Sequence, residues 1–361
     1  MTRAFDDHSA ENAVSEAADR LSGPYLAVSA GVPVERRRPS YDSAGAAAAE
    51  DWSVPFPDGW TARSGDTLEA QDRAAGIQLR AAGPKDGPVV FVLGGISATR
   101  AAFDASLDQV EPGWWREVVG PGRGVDTSRF RVVSADFFPQ APTKAIDLHP
   151  IDYAELFHHA LTQSGIERLH AIVGGSFGGM VGLELAAAYP EFVERIALLC
   201  ASHRPTPVGR AWRRTQRRII SLGLETGQEQ EAIAIARELA MTTYRTPEEF
   251  NERFVEPGAV ESYLDHHGAK FAGVMGAARY QTLSAAIDAH DFDGARLDKP
   301  TLIIASPEDQ LIAFEDAKAL AKAIGPAAEF RTLHSRYGHD AFLKEASLIN
   351  PALSTFLEGT V

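Results

Sequence analysis

The chain has 361 residues, 45% hydrophobic and 23% charged, which is the composition of a folded globular protein and excludes a wholly disordered chain. Its 35 basic and 49 acidic side chains leave a net charge of −14, so non-specific binding to nucleic acid or to an acidic membrane surface is excluded as a default. A single cysteine, Cys200, excludes an internal disulfide and any zinc site built from cysteine pairs, and fits a reducing, cytoplasmic setting.

Residues 1–50 carry no strand pattern and read as a partly disordered tail, with one short helix near 10–21. The start is acidic and mixed, without the basic residues and apolar run of a signal peptide. No stretch reaches the roughly 18 consecutive apolar residues of a membrane span. From about Trp52 the pattern becomes that of a packed domain. Gly76–Arg80 alternates like a strand, and Pro84-Lys-Asp-Gly87 has turn chemistry. Pro88–Leu93, Arg129–Ala135, Leu169–Val173, Arg195–Cys200 and Pro300–Ala305 are near-continuous apolar runs. Such runs suit strands covered on both faces of a parallel sheet. Helical patterns at Asp152–Ser164, Gly179–Tyr189, Phe314–Ile324 and Ala341–Thr355 lie between and after them. Strand alternating with helix predicts an α/β fold with a mostly parallel, doubly wound sheet.

The alternation breaks at residues 203–293, which are helix-patterned and strand-poor. The expected organisation is therefore an α/β core at 51–202 and 294–361, with a helical lid inserted between the two pieces. Cys200 sits in an apolar run and reads as a buried structural thiol. His158-His159 lacks carboxylate or cysteine company at ligand spacing, so no metal site is expected.

The chemistry is concentrated in Gly174-Gly-Ser-Phe-Gly178, which follows an apolar strand and opens a helix. Gly-x-Ser-x-Gly in that setting is a nucleophile elbow, holding the Ser176 hydroxyl up at the carboxyl edge of the sheet. A serine nucleophile needs a base, and the base needs an orienting acid, in chain order Ser, acid, His. Ser306-Pro-Glu-Asp-Gln310 follows a strand and offers both Glu308 and Asp309; Leu333-His-Ser-Arg-Tyr-Gly-His339 offers two histidines. His334 falls near the end of the last strand, whereas His339 follows a glycine and opens a helix. Ser176, Asp309 and His339 are therefore the expected triad. The oxyanion hole requires two backbone N–H groups. Phe177, next to the nucleophile, supplies one. Ile96, in Gly94-Gly-Ile-Ser97 after a strand, supplies the other, with Gly95 and Ser97 as alternatives.

With those residues in place the chain resembles the α/β-hydrolase-fold homoserine O-acyltransferases. Matching stretches run from about Pro88 to the C-terminus. They include Gly113-Trp-Trp115, Val119-Gly-Pro-Gly122, Gly174-Gly-Ser-Phe-Gly-Gly-Met180, Ala240-Met-Thr-Thr-Tyr-Arg245, Asp309-Gln-Leu311 and Tyr337-Gly-His-Asp-Ala-Phe-Leu343. The resemblance implies ping-pong transfer of an acetyl or succinyl group from coenzyme A to the homoserine hydroxyl, in methionine biosynthesis, with no bound cofactor. Acetyl is preferred on base rate alone. The resemblance carries the triad onto Ser176, Asp309 and His339, the arginine that holds the acceptor carboxylate onto Arg217, and the aspartate that holds its ammonium onto Asp340. It further implies a homodimer formed through the lid helices. One departure is Phe138-Pro-Gln-Ala-Pro-Thr-Lys144, which is shorter than the family's Gly-rich stretch there.

Arg204, Arg210, Arg213, Arg214, Arg217 and Arg218 crowd the start of the lid of an otherwise acidic chain, and read as a surface for an anionic acyl donor. A serine hydrolase with the same triad, acyl transfer to another hydroxy amino acid such as serine, and a non-enzymatic fold relative are the competing readings.

Overall fold

The computed structural model describes residues 49–104 and 112–359. The tail expected at the N-terminus therefore lies outside the described residues as far as residue 48.

Ten strands are described: β1 (Glu50–Val54), β2 (Ile77–Ala82), β3 (Val89–Leu93), β4 (Val119–Gly120), β5 (Val125–Asp126), β6 (Arg131–Ala135), β7 (Ala171–Gly175), β8 (Ile196–Leu199), β9 (Thr301–Ala305) and β10 (Ala328–Thr332). Eight form one sheet in the order β1-β2-β6-β3-β7-β8-β9-β10, and β4 and β5 make a separate parallel pair. β1–β2 and β2–β6 are antiparallel; every later pairing in the large sheet is parallel.

The apolar runs are central strands because both their faces are covered. Phe91, Leu93, Ile172, Ile196 and Leu198 point into one core with Phe157, Met180 and Val181. Val90, Val92, Val173, Ala197 and Leu199 point into the other with Trp114, Trp115, Leu353 and Phe356. The first core is roofed by α2 (Pro150–Gln163) and α3 (Phe177–Ala188), the second by α11 (Ala346–Glu358). A short α1 (Ala70–Ala75) precedes β2, α9 (Phe314–Ile324) links β9 to β10, and α10 (Ala341–Lys344) leads into α11.

Between β8 and β9 the sheet yields to five helices, α4 (Pro207–Thr226), α5 (Glu229–Tyr244), α6 (Pro247–Arg253), α7 (Ala259–Ala272) and α8 (Ala277–Asp288). Thr-Pro pairs start two of them. The Thr206 hydroxyl accepts from Gly209 N–H at 3.0 Å, and the Thr246 hydroxyl from Glu249 N–H at 3.2 Å. The proline that follows each cap has no N–H to leave unpaired and a φ already suited to a helix. Among the described residues no helix is long and apolar enough to cross a membrane.

Candidate active site

Ser176 is the single residue between β7 and α3, with φ 52° and ψ −122°, a conformation that side-chain-bearing residues rarely adopt. The chain can turn there because its neighbours have no side chains. A Cβ on Gly174 would lie 2.7 Å from Gly178 O, and one on Gly178 would lie 2.5 Å from the Leu93 carbonyl. Gly178→Ala is therefore expected to destabilise the fold by about 1–3 kcal/mol through overpacking against β3. A thermal midpoint equal to wild type would show that the elbow has slack.

Strand ends carry the other groups to the serine, at the carboxyl edge where open α/β sheets bind ligands. Asp309 lies just past β9, and His339 past β10. His339 Nε2 is 2.8 Å from Ser176 Oγ, and His339 Nδ1 is 2.7 Å from Asp309 Oδ2. The other Asp309 oxygen accepts from Leu311 N–H at 2.8 Å and Ile312 N–H at 3.0 Å, which fixes the carboxylate. The neighbouring acid is engaged elsewhere: Glu308 accepts from Ser306 and pairs with His334 at 2.9 Å. The structure thus brings together Ser176, His339 and Asp309, and leaves Glu308 and His334 as an outer pair.

Burial alone would lower the His339 pKa, but the charge and hydrogen bond of Asp309 and the charge of Asp340 outweigh it, leaving the imidazole above its ordinary value. A general base must be neutral to accept a proton. Acylation by a small aryl ester is therefore expected to fall as pH drops through a value above about 6.5. Asp340→Asn removes one of the raising charges, so the acid limb of that profile should move to lower pH. An unmoved limb would show that Asp340 does not act on His339.

The first N–H groups of a helix have no acceptor within it. Here Gly178 N–H donates to Gly94 O at 2.8 Å, and Gly179 and Met180 N–H donate to Ser176 O. Phe177 N–H makes no such cap bond among the described residues. Ala98 N–H closes a turn onto Gly95 O at 2.9 Å, and Gly95, Ile96 and Ser97 line the cleft beside Ser176. Of the two expected oxyanion donors, Phe177 directly follows the nucleophile and Ile96 lines the cleft beside it.

The helical block closes over this cleft, a cavity of about 70 Å³. That is well below the roughly 300–1,000 Å³ of drug-sized ligand sites. It suits a short acyl chain and leaves the bulk of a coenzyme outside. Trp212, Arg213 and Gln216 of α4, Arg237, Thr243 and Tyr244 at α5, and Tyr280 and Ser284 of α8 complete the wall with Asp340. A wider recess of about 670 Å³, lined by Glu50, Trp52, Arg131 and Glu167, opens at the amino ends of β3 and β6, away from the triad.

Arg217 and Asp340 stand differently toward the cavity. Asp340 is on the wall, with Oδ2 accepting from Arg245 Nε at 3.3 Å, while Arg245 Nη1 bonds Glu249 at 2.9 Å. Arg217 sits behind the wall, donating to the Ser284 carbonyl and hydroxyl at 3.0 and 2.9 Å and to Asp288 at 2.7 Å. One helical turn earlier, Arg213 reaches the wall itself, with Nε donating to the other Asp288 oxygen at 2.7 Å. The arginine cluster is thereby divided: Arg210, Arg214 and Arg218 are exposed, and Arg204 pairs with Asp316. Among the described residues no group of histidine, cysteine or carboxylate side chains is arranged to hold a metal ion.

The chain is also similar to known proteins. A family model described as alpha/beta hydrolase fold matches residues 87–346. The chain is 37% identical over 300 residues to the homoserine O-succinyltransferase of Xanthomonas campestris pv. campestris, covering 81% of each chain. The chain belongs to the homoserine O-acyltransferase family. Its similarity to the Thermus thermophilus homoserine O-acetyltransferase is 35% over 276 residues, 68% of this chain and 72% of that one. Among solved structures, homoserine O-acetyltransferase from Bacillus anthracis superposes with a TM-score of 0.75 over 86% of this chain and 97% of that one, at 18% identity. Esterase E22 does so with 0.75 over 86% and 99%, at 20% identity. At these identities the likeness shows the fold alone, and a hydrolase shares it.

Of the wall residues, the sequence points to Arg213 only as one of the arginine cluster, and does not single out Gln216, Arg237, Tyr244 and Ser284 as site residues. They lie on lid helices without a motif, so only the packing of α4, α5 and α8 over the cleft distinguishes them.

Proposed function

We propose that the protein transfers an acyl group from coenzyme A to the hydroxyl of homoserine through an acyl-enzyme on Ser176. The carrying observation is the continuous line Ser176–His339–Asp309 opening into a small cavity whose wall holds both a cation, Arg213, and an anion, Asp340. A zwitterionic acceptor needs both in a site of low dielectric.

His339 takes the Ser176 proton as Oγ attacks the thioester carbonyl, and the Phe177 and Ile96 N–H groups hold the oxyanion. The C–S bond breaks, and the proton passes from His339 to the leaving thiolate. The acceptor then enters with its ammonium toward Asp340 and its carboxylate toward Arg213, which Asp288 holds from behind. His339 takes the hydroxyl proton, the new ester forms, and Ser176 leaves with that proton. Asp309 holds the imidazole with Nε2 toward the reacting oxygen throughout. The closed lid favours transfer over hydrolysis, because the acceptor displaces water from a cavity this small.

The family resemblance extends the reading to a cytoplasmic homodimer. Among the described residues the lid exposes Val208, Leu222, Leu224 and Ile235 on its helices and Val255 on a loop, apolar side chains of the kind an interface covers. The proposal is tested with purified protein, acetyl-CoA or succinyl-CoA, and homoserine or serine, following free thiol and O-acyl product. Thiol release that depends on homoserine is expected. Release at the same rate without any acceptor would identify a hydrolase.

A further inference from the structure

We propose that Arg245 is a positioning residue: from the corner between α5 and α6 it holds the two loops that carry Asp309 and His339, so that acid and base are aligned only while the lid is docked. This rests on the Ser176 acyl-enzyme reading and adds to it a residue behind the cavity wall.

Asp309 and His339 both stand on loops past strand ends, where β9 and β10 no longer fix the backbone. Loop-borne groups keep a reactive geometry only when the residues around them are held. The lid corner at residues 244–246 reaches both loops. On the acid's loop, Gln310 Nε2 donates to the Arg245 carbonyl at 2.7 Å. On the base's loop, Arg245 Nε donates to Asp340 Oδ2 at 3.3 Å. The Arg336 carbonyl accepts from the Thr246 hydroxyl at 2.8 Å and from Thr246 N–H at 3.4 Å. Between those contacts runs Gly338, with φ 53°. A Cβ on it would lie 2.9 Å from the Tyr244 carbonyl oxygen and 3.2 Å from that of Glu308. The residue before His339 is thus wedged between the lid corner and the acid's loop, and the residue after it is tied to Arg245.

The guanidinium is built into this junction. Arg245 is 4% exposed, spans Asp340 and Glu249, and lies 5.9 Å from the centroid of the Tyr337 ring. Glu249 belongs to α6 and Asp340 follows His339 directly, so one side chain joins the lid to the base's loop. Removing one partner of a buried ion pair leaves an uncompensated charge, so the docked corner is strongly favoured. Misplacing a reacting group by about 1 Å can cost about 100-fold in rate. A corner that undocks takes the alignment of His339 with it, and water entering an opened site then meets the Ser176 ester without an aligned base.

The test follows acylation of Ser176 by p-nitrophenyl acetate in the full chain, a reaction that needs the triad but neither coenzyme nor acceptor. It is read at a pH above the acid limb, where His339 is neutral in every variant. Arg245→Gln is expected to lower the acylation rate constant about 10–100-fold with KM little changed. Arg245→Lys, which keeps a cation toward Asp340, should restore part of it. Gln310→Met removes one neutral hydrogen bond and no charge, and should lower the same constant about 2–10-fold. In proton NMR spectra, the low-field resonance of the proton between His339 Nδ1 and Asp309 should be present in wild type and lost or broadened in Arg245→Gln. A residue that merely stabilises the fold would lower the melting midpoint and leave the rate constant and that resonance as in wild type, a result that overturns the proposal. If Arg245→Gln does not fold, Gln310→Met decides alone, and a wild-type rate constant there overturns the proposal. A wild-type protein that is not acylated on Ser176 would instead overturn the acyl-enzyme reading beneath it.

Discussion

Ser176→Ala is expected to remove the covalent acyl adduct and to lower kcat for acyl transfer by about 10⁴–10⁶-fold, the range seen when a serine nucleophile is deleted from an intact triad. The size follows from the architecture. β7, the glycines around the elbow and α3 are arranged so that one hydroxyl, held in a strained turn, meets His339 Nε2 at 2.8 Å. Without that oxygen the cavity still binds, and Phe177 and Ile96 still present their N–H groups, so a small residual rate persists. Intact mass after mixing with acyl-CoA reads the effect directly: a mass increase of one acyl group in wild type, none in the variant. An adduct that survives in Ser176→Ala would place the nucleophile elsewhere.

Asp309→Asn is expected to cost about 10⁴-fold in kcat while leaving the fold intact, because the amide presents the wrong hydrogen-bonding group to Nδ1 and favours the wrong tautomer. The acid's second oxygen is held by two backbone N–H groups, so an amide oxygen can keep those bonds and turn its NH₂ toward the imidazole. The contrast is with Glu308→Gln. That carboxylate faces His334, outside the triad, so acylation should stay close to wild type. Equal losses in the two variants would mean that the acids share the role.

How much of this was legible in sequence differs by element. Strands β3, β6, β8 and β9 announced themselves as apolar runs because they are buried on both faces. β1 and β10 did not, because edge strands carry mixed side chains: Glu50-Asp-Trp-Ser-Val54 is half exposed, and Ala328-Glu-Phe-Arg-Thr332 has no fully buried residue. β7 was read two residues early, since its last two residues are glycines that belong at once to the strand and to the elbow.

The elbow itself is local, so Gly-x-Ser-x-Gly between strand and helix was sufficient to find Ser176. Choosing Asp309 over Glu308, and His339 over His334, required chain order and the motif around Tyr337–Leu343, because adjacent residues share almost the same backbone position. The arginines were harder still. Arg213 and Arg217 lie one turn apart on the same face of α4, and sequence spacing does not separate the residue on the wall from the one behind it. The difference is made by α8, whose Ser284 and Asp288 occupy the Arg217 guanidinium. Arg237 carried no signal, since its place on the cavity depends on how α5 packs over the sheet.

The most direct test is a single turnover. The acyl-enzyme is formed with acyl-CoA, separated from free coenzyme, and divided between buffer and buffer containing homoserine. Prompt appearance of the acyl group as the homoserine O-ester, with a mass-intact acyl-enzyme persisting in buffer alone, is the expected result. Loss of the acyl group to water at the same rate in both halves would overturn acyl transfer as the function of this site.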